Sequence, residues 1–437
     1  MQKLNEEVVV RKIFWRLIPL LMVLYIISYI DRINVGFAAL TMNADIGLSA
    51  YAYGLGAGIF FIGYCLFEVP SNLFLMRFGA RRWIARILFT WGILSCAMAL
   101  VQGQTSFLVI RFLLGVAEAG FFPGVVLYLT LWFPARYRAR IIATFSLAIP
   151  LAIAVGAPLS TTLLQLDGVL GFKGWQWLFV LEGLPAVIGA FFVLRLLTDR
   201  PEQARWLSPQ EQAWLTQELA KDVALANHEI VHTLRKALMS PALLTLAFIY
   251  FCAISANLGL SFFLPQIIKN QGYETWQVGF LTSIPYIAGC IGMIVIGQLS
   301  DRFAERRGFL ALSMFMACAG LALAGFLIAS PWSIVALCVA AIGILGCKGP
   351  FWAIPPIYLS GTAMAGGIAF INAIGNLGGF AGPYIVGSLK HGSDSFASGL
   401  YALALLAGVA MVVTLTMVRS RPATVDRDQR LAEHKSA

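Results

Sequence analysis

The chain has 437 residues, of which 59% are hydrophobic and only 12% charged, about half the charged share of an ordinary soluble domain. Its mean hydropathy is +0.81. So little polar material excludes a water-soluble globule, and the net charge of +10 then reflects loop topology rather than a nucleic-acid groove.

A membrane-crossing helix needs roughly 20 apolar residues. Reading along the chain on that basis predicts spans at 14–40, 52–76, 83–102, 106–131, 139–166 and 175–198. A polar stretch rich in Glu, Gln, Lys and Arg follows over 199–240. Six further spans are predicted at 241–268, 276–300, 308–329, 332–356, 363–389 and 396–418, and a charged tail ends the chain. The fold class is therefore an all-α membrane protein of twelve transmembrane helices. The first apolar run lacks a small-residue cleavage site and runs well past a signal core, so it reads as a span rather than a leader.

The basic residues test this map. Twenty-five of the 31 Lys and Arg fall in the ends, the central stretch and alternate loops, whereas the opposite loops hold only Lys173, Lys269 and Lys390. This asymmetry predicts that both termini and the central stretch face the cytoplasm. The remaining three, Arg32, Arg111 and Lys348, lie inside spans. The seven cysteines sit in apolar stretches without metal or disulfide spacing and read as small buried residues. The four histidines lie in loops or the tail. No metal, cofactor or enzymatic constellation is expected.

The two halves of the chain look related. Arg77, Arg81 and Arg82 follow the second span, and Asp301, Arg302, Arg306 and Arg307 follow the eighth. Gly156-Ala-Pro158 in the fifth span matches Gly382-Pro383 in the eleventh. Such signals six helices apart predict a duplicated six-helix unit, a common transporter plan. The expected domains are 1–198, a linker at 199–240, 241–418, and a tail at 419–437. Glycine-rich patches such as Gly375, Gly378 and Gly379 suit close helix packing.

A charged side chain deep in a bilayer costs about 2.5–3.5 kcal/mol even on lenient scales, so each one needs a reason. In the first span, Ser28, Tyr29 and Arg32 are three or four residues apart and share a face. A planar guanidinium beside a phenol and a hydroxyl suits a carboxylate ligand; a purely structural Asp31-Arg32 element is the alternative. In the fourth span, Arg111 and Glu118 lie two turns apart on one side. Glu118 reads as a proton carrier and Arg111 as a partner for Asp31, or the two form a static ion pair. Lys348 in the tenth span either faces the cavity or snorkels. Glu68 and Glu182 read as structural or gating groups. Tyr64, Asn257, Ser261, Tyr286, Trp352, Asn372 and Asn376 could complete a polar pocket.

Taken together, Tyr29-Ile-Asp31-Arg32-Ile-Asn34-Val-Gly36, the Arg81-Arg82-Trp83 region, Arg111-Phe-Leu-Leu-Gly115-Val-Ala-Glu118-Ala-Gly120-Phe-Phe-Pro123-Gly124, Trp132-Phe-Pro134 and Gly375-Asn376-Leu-Gly378-Gly379 resemble the major facilitator superfamily over nearly the whole chain. Within it, the closest resemblance is to the anion:cation symporter family, whose members include bacterial carriers of sugar acids, tartrate, phthalate and hydroxyphenylacetate.

The resemblance implies proton-coupled import of a small organic anion through the bacterial inner membrane by alternating access, by a protein acting as a monomer in the lipid bilayer. It implies that Asp31 and Glu118 take up protons with Arg111 exchanging partners, and that Arg32 holds the substrate carboxylate with Tyr29, Tyr64, Lys348, Trp352 and Asn376 around it. Gating falls to Arg77, Arg81, Asp301 and Arg302. One departure is visible: the loop signature usually carries an Asp before its first Arg, and here Met76 precedes Arg77, so Glu68 or Asn72 is expected to substitute. The competing readings are a proton-driven exporter of drugs or metabolites and a non-transporting membrane sensor. The sensor reading suffers from the absence of room for a signalling domain.

Overall fold

The structure is a computed structural model that describes residues 6–226, 240–358, 361–393 and 395–418. The expected tail at 419–437, and residues 227–239 of the expected linker, lie outside the described residues. Among the described residues the chain is helical throughout, with no strand. In chain order the helices are α1 (Glu6–Asp45), α2 (Ala50–Phe78), α3 (Ala80–Ala97), α4 (Gln104–Glu118), α5 (Phe121–Thr130), α6 (Ala135–Ser146), α7 (Ala148–Leu163), α8 (Gly174–Leu196) and α9 (Pro209–Ala226). They continue as α10 (Pro241–Lys269), α11 (Thr275–Arg302), α12 (Arg307–Phe326), α13 (Trp332–Gly346), α14 (Lys348–Trp352), α15 (Pro355–Tyr358), α16 (Gly361–Ser393) and α17 (Phe396–Met417).

Eleven stretches of these helices are long and apolar enough to cross a membrane. The twelfth expected span falls on α16, which is 33 residues long. Asn372, Asn376 and its glycines dilute its apolar character. The first helix is longer than expected because the charged segment from Glu6 continues the helical turn ahead of the apolar run.

The fourth span is broken where α4 gives way to α5. Ala119 leaves the helical region, and Gly120 takes a left-handed conformation at φ +84°. A side chain at Gly120 would also strike Ser71, since a Cβ there would lie 2.4 Å from its Oγ. A break of this kind inside a span frees backbone polar groups and is tolerated where protein surrounds it.

Two compact units are present. One comprises Met1–Ile230 with Ser261–Ser283, and the other Val231–Leu260 with Ile284–Ala437. In the first unit α3 packs along α8, α2 along α4, and α1 along α7 and α8. The α2–α4 contact is very close: a Cβ at Gly115 would lie 2.0 Å from the Phe60 carbonyl oxygen, and one at Gly63 2.5 Å from that of Phe112. Close backbone approach of this sort is how helices associate in lipid, where no hydrophobic drive operates between them. In the second unit α12 packs on α13 and α17. Its core gathers Leu246, Ile249, Met314, Phe351 and Ile371.

The linker holds a helix that sequence reading did not single out. Ser208 and Glu211 cap α9 reciprocally: the Ser208 N–H donates to Glu211 Oε2 at 2.7 Å, and the Glu211 N–H donates to Ser208 Oγ at 3.3 Å. This is the capping-box arrangement. The helix is tied to the first unit by Lys12–Glu211 at 2.8 Å, Arg138–Asp222 at 3.1 Å and the Ala135 N–H to Asp222 at 2.8 Å. Leu215 is buried and Trp206 stacks on Trp132 at 5.5 Å.

Candidate functional site

The first unit brings two polar clusters together around α1. Arg32 and Glu118 form an ion pair between α1 and the last residue of α4. Ser28 Oγ donates to the same oxygen, Glu118 Oε1, at 2.9 Å. The spacing of Ser28 and Arg32 by one helical turn is what lets both reach a single acceptor. Glu118 is fully enclosed, whereas the Arg32 side chain retains 15% exposure. The guanidinium lies over three aromatic rings, with centroid distances of 5.9 Å to Tyr29, 5.6 Å to Phe60 and 5.4 Å to Tyr64. Ring faces attract a cation and more so when water is excluded. Arg32 Nε has no partner among the described residues, so the guanidinium keeps hydrogen-bonding capacity in hand.

Asp31 faces the other way. Its carboxylate accepts from Trp91 Nε1 and Ser95 Oγ of α3, and from Asn34 Nδ2 at 3.0 Å. Trp91 and Ser95 are a turn apart in α3, and neither was recognised as functional from sequence. The available signal was a polar pair at helical spacing within an apolar span.

Arg111 departs from its expected pairing. It is wholly buried, yet no ion pair with Asp31 or Glu118 is formed. Its Nε donates to the Gly56 carbonyl at 3.2 Å and its Nη2 to that of Ala57 at 3.4 Å. The Phe60 ring lies 5.0 Å from the guanidinium carbon, and Nη1 has no partner among the described residues. The reason is geometric. The small residues of α2 expose its backbone to α4, and Asp31 is already held by α3.

Other expected site residues lie elsewhere. Trp352 and Tyr250 pack edge to face at 5.1 Å in the second unit. A Cβ at Gly375, next to Asn376, would lie 2.1 Å from the Tyr250 ring, so the backbone of α16 passes beside the ring that Trp352 meets. Lys348 opens α14, half-buried and without an ion pair among the described residues.

The expected gating residues divide. Arg81 donates from its backbone to Asp199 Oδ1 at 2.8 Å and from Nε to the Leu194 carbonyl at 2.6 Å. Asp199, unnamed by sequence reading, thus supplies a carboxylate at the start of α3, where the helix dipole favours it. Asp301 pairs with Arg306. Arg77 lies over Phe78 at 5.6 Å, and among the described residues neither Arg77 nor Arg302 forms an ion pair.

The geometry supports binding and charge exchange, with buried carboxyls and guanidinia but no metal cluster among the described residues. Comparison with known proteins agrees with a carrier. Residues 21–383 match the family model described as Major Facilitator Superfamily. Two proteins of Agrobacterium vitis, each named "Putative tartrate transporter", are 46% identical over 421 residues and 48% identical over 417, covering 96% and 95% of this chain and 94% and 96% of their own lengths. A "Quinolone resistance transporter" of Acinetobacter baumannii is 45% identical, covering 94% of each chain. The solved structure of a bacterial homologue of the human lysosomal transporter Spinster superposes with a TM-score of 0.76 over 91% of this chain and 95% of its own. At 16% identity it speaks for the fold alone. With the family match spanning most of its length and multi-pass helices throughout, this chain belongs to the Major Facilitator Superfamily of membrane transporters.

Proposed function

We propose that this protein imports a small organic carboxylate together with protons across the bacterial inner membrane by alternating access. The observation that carries the reading is the Arg32–Glu118 pair, a partly open cation held by an enclosed carboxylate. A substrate carboxylate and Glu118 compete for the same guanidinium. Protonation of Glu118 removes its charge and its claim on Arg32, and the freed fork then takes the substrate in a charge-assisted, planar contact. Release of the proton to the other side restores the pair and expels the substrate.

In this reading Asp31 is the second proton acceptor, and Arg111 exchanges backbone carbonyls for a carboxylate in another conformation. Tyr29 and Tyr64 flank the substrate in the first unit; in the second, Lys348, Trp352 and Asn376 are the candidate substrate-contacting residues. Arg77, Arg81, Asp301 and Arg302 act at the cytoplasmic gates. The loop asymmetry supports a cytoplasmic side for the termini and for α9. The relatives named for tartrate favour a hydroxylated acid as cargo, as does the resemblance to anion:cation symporters.

The test is uptake of labelled tartrate and related acids into proteoliposomes. Uptake should rise with an inward proton gradient and fall when an ionophore collapses it; uptake indifferent to the ionophore would overturn proton coupling. The second reading, an exporter, is favoured by the relative named for quinolone resistance. It predicts gradient-driven accumulation in inside-out vesicles, which the import reading does not.

A further inference from the structure

The first unit contains another enclosed carboxyl that the cycle above leaves unused. Glu182 on α8 is 4% exposed. Ser160 Oγ on α7 donates to its Oε1 at 2.7 Å, and Oε2 has no hydrogen-bond partner among the described residues. Asn34 connects it to the Asp31 cluster: the amide donates to Asp31 Oδ1 at 3.0 Å, and the same side chain is close enough to interact with the Glu182 carboxyl. The groups around Glu182 are few. Asp31 and Asn34 face it from α1, Ser160 from α7, and Ser95 and Cys96 of α3 pack against the adjoining Gly183. None of the ion pairs among the described residues involves Glu182 or Asp31.

Two unpaired anions sharing one desolvated site disfavour each other strongly, so such a cluster retains a proton. Its placement follows from the donors. An ionised carboxylate only accepts, and Asp31 receives three donors. Glu182 receives one from Ser160 and has an oxygen idle, as suits the protonated acid. We propose that Glu182 is a further proton-bearing group of the transport cycle, linked to Asp31 through the Asn34 amide, so that the two carboxyls share a proton. The proposal rests on the proton-coupled reading of this transporter. Asn34 is a positioning residue. When the shared proton passes to Asp31, the new acid needs an acceptor where Asn34 had offered a donor. Half a turn of the amide presents its carbonyl oxygen to Asp31 and its NH2 to Glu182, which is now the carboxylate. The proton moves from one carboxyl to the other, and the cluster charge is unchanged.

The experiment is infrared difference spectroscopy on the purified full chain in liposomes, without substrate or gradient, beside the pH profile of uptake. The protein and its Glu118→Gln variant should show a protonated-acid carbonyl band at neutral pH that Glu182→Gln lacks. Glu182→Gln should also move the alkaline limb of uptake to lower pH by roughly one unit, because Asp31 no longer gains its proton beside an anion. An unaltered band, or an unmoved limb, overturns the proposal. Should Glu182→Gln not reach the membrane, Ser160→Ala serves, since loss of the hydroxyl donor must shift the band frequency if Glu182 is its source. Because the band is read without transport, it stands apart from the ionophore test, whose failure sinks proton coupling instead.

Discussion

Arg32 on α1 and Glu118 at the end of α4 hold each other across a helix interface, and Ser28, one turn before Arg32, donates to the very oxygen that the guanidinium engages. One carboxylate oxygen thus carries a cation and a hydroxyl, next to the break at Gly120. Replacing Glu118 by Gln keeps an acceptor for both donors but removes the charge and the proton. Gradient-driven accumulation should fall at least tenfold, roughly 1.4 kcal/mol or more, while exchange of labelled for unlabelled substrate persists. Counterflow in proteoliposomes measures both, and normal accumulation by the variant would remove Glu118 from the coupling path.

Arg32 offers a planar fork over the rings of Tyr29, Phe60 and Tyr64. Lys keeps the charge yet loses the bidentate geometry and the stacking. Arg32→Ala should abolish binding and Arg32→Lys should weaken it by roughly tenfold or more, in keeping with about 1.5–3 kcal/mol for a hydrogen bond to a charged group. Calorimetric titration with candidate acids reads this directly. Equal affinity for the Lys variant would mean that only charge matters.

The glycines of the α2–α4 contact supply a steric prediction. A Cβ at Gly115 would sit 2.0 Å from a backbone oxygen, which only helix separation relieves. Gly115→Ala should lower stability by about 1–3 kcal/mol, read as a lower thermal midpoint in detergent. It should also disturb Arg111, which reads carbonyls of the same helix. Gly297→Ala is the control, because nothing lies within 4 Å of that position; it should be neutral or slightly stabilising, by up to about 1 kcal/mol.

Docking of α9 should depend on pH. Burial pushes Glu211 upward, but Lys12 and the Ser208 N–H and hydroxyl outweigh it and hold the carboxyl below its ordinary value. Lys221 does the same for Glu218, helped by Arg136. A carboxyl lowered in the folded state contributes stability above its unfolded value, and that contribution is lost as pH falls through the folded value. Acidification below the ordinary carboxylate range should therefore loosen α9 before the spans. Hydrogen exchange of α9 amides, corrected for intrinsic rates, would show this, and unchanged protection across that range would contradict it.

Several features were legible without coordinates. Ser28, Tyr29 and Arg32 sit on one face because of their spacing, and the structure gathers Ser28 and Arg32 on Glu118 and Tyr29 beneath the guanidinium. The capping box at Ser208 and Glu211 was also present in the sequence, though hidden inside a polar stretch that lacked an apolar pattern. Arg111 meets carbonyls rather than a carboxylate in this structure. Its spacing from Glu118 was right, but spacing says nothing about whether a neighbouring helix bares its carbonyls.

The sequence by itself determined that this chain is a multi-pass helical membrane protein with a few costly charges inside its spans, because apolar length and internal charge are properties of the chain alone. Only the tertiary structure decided the partners: Trp91 and Ser95 for Asp31, the α2 backbone for Arg111, Asp199 for Arg81, and Ser160 for Glu182. Helical periodicity fixes which residues share a face, whereas the partner that meets that face depends on which helices pack side by side and how closely their small residues allow them to approach.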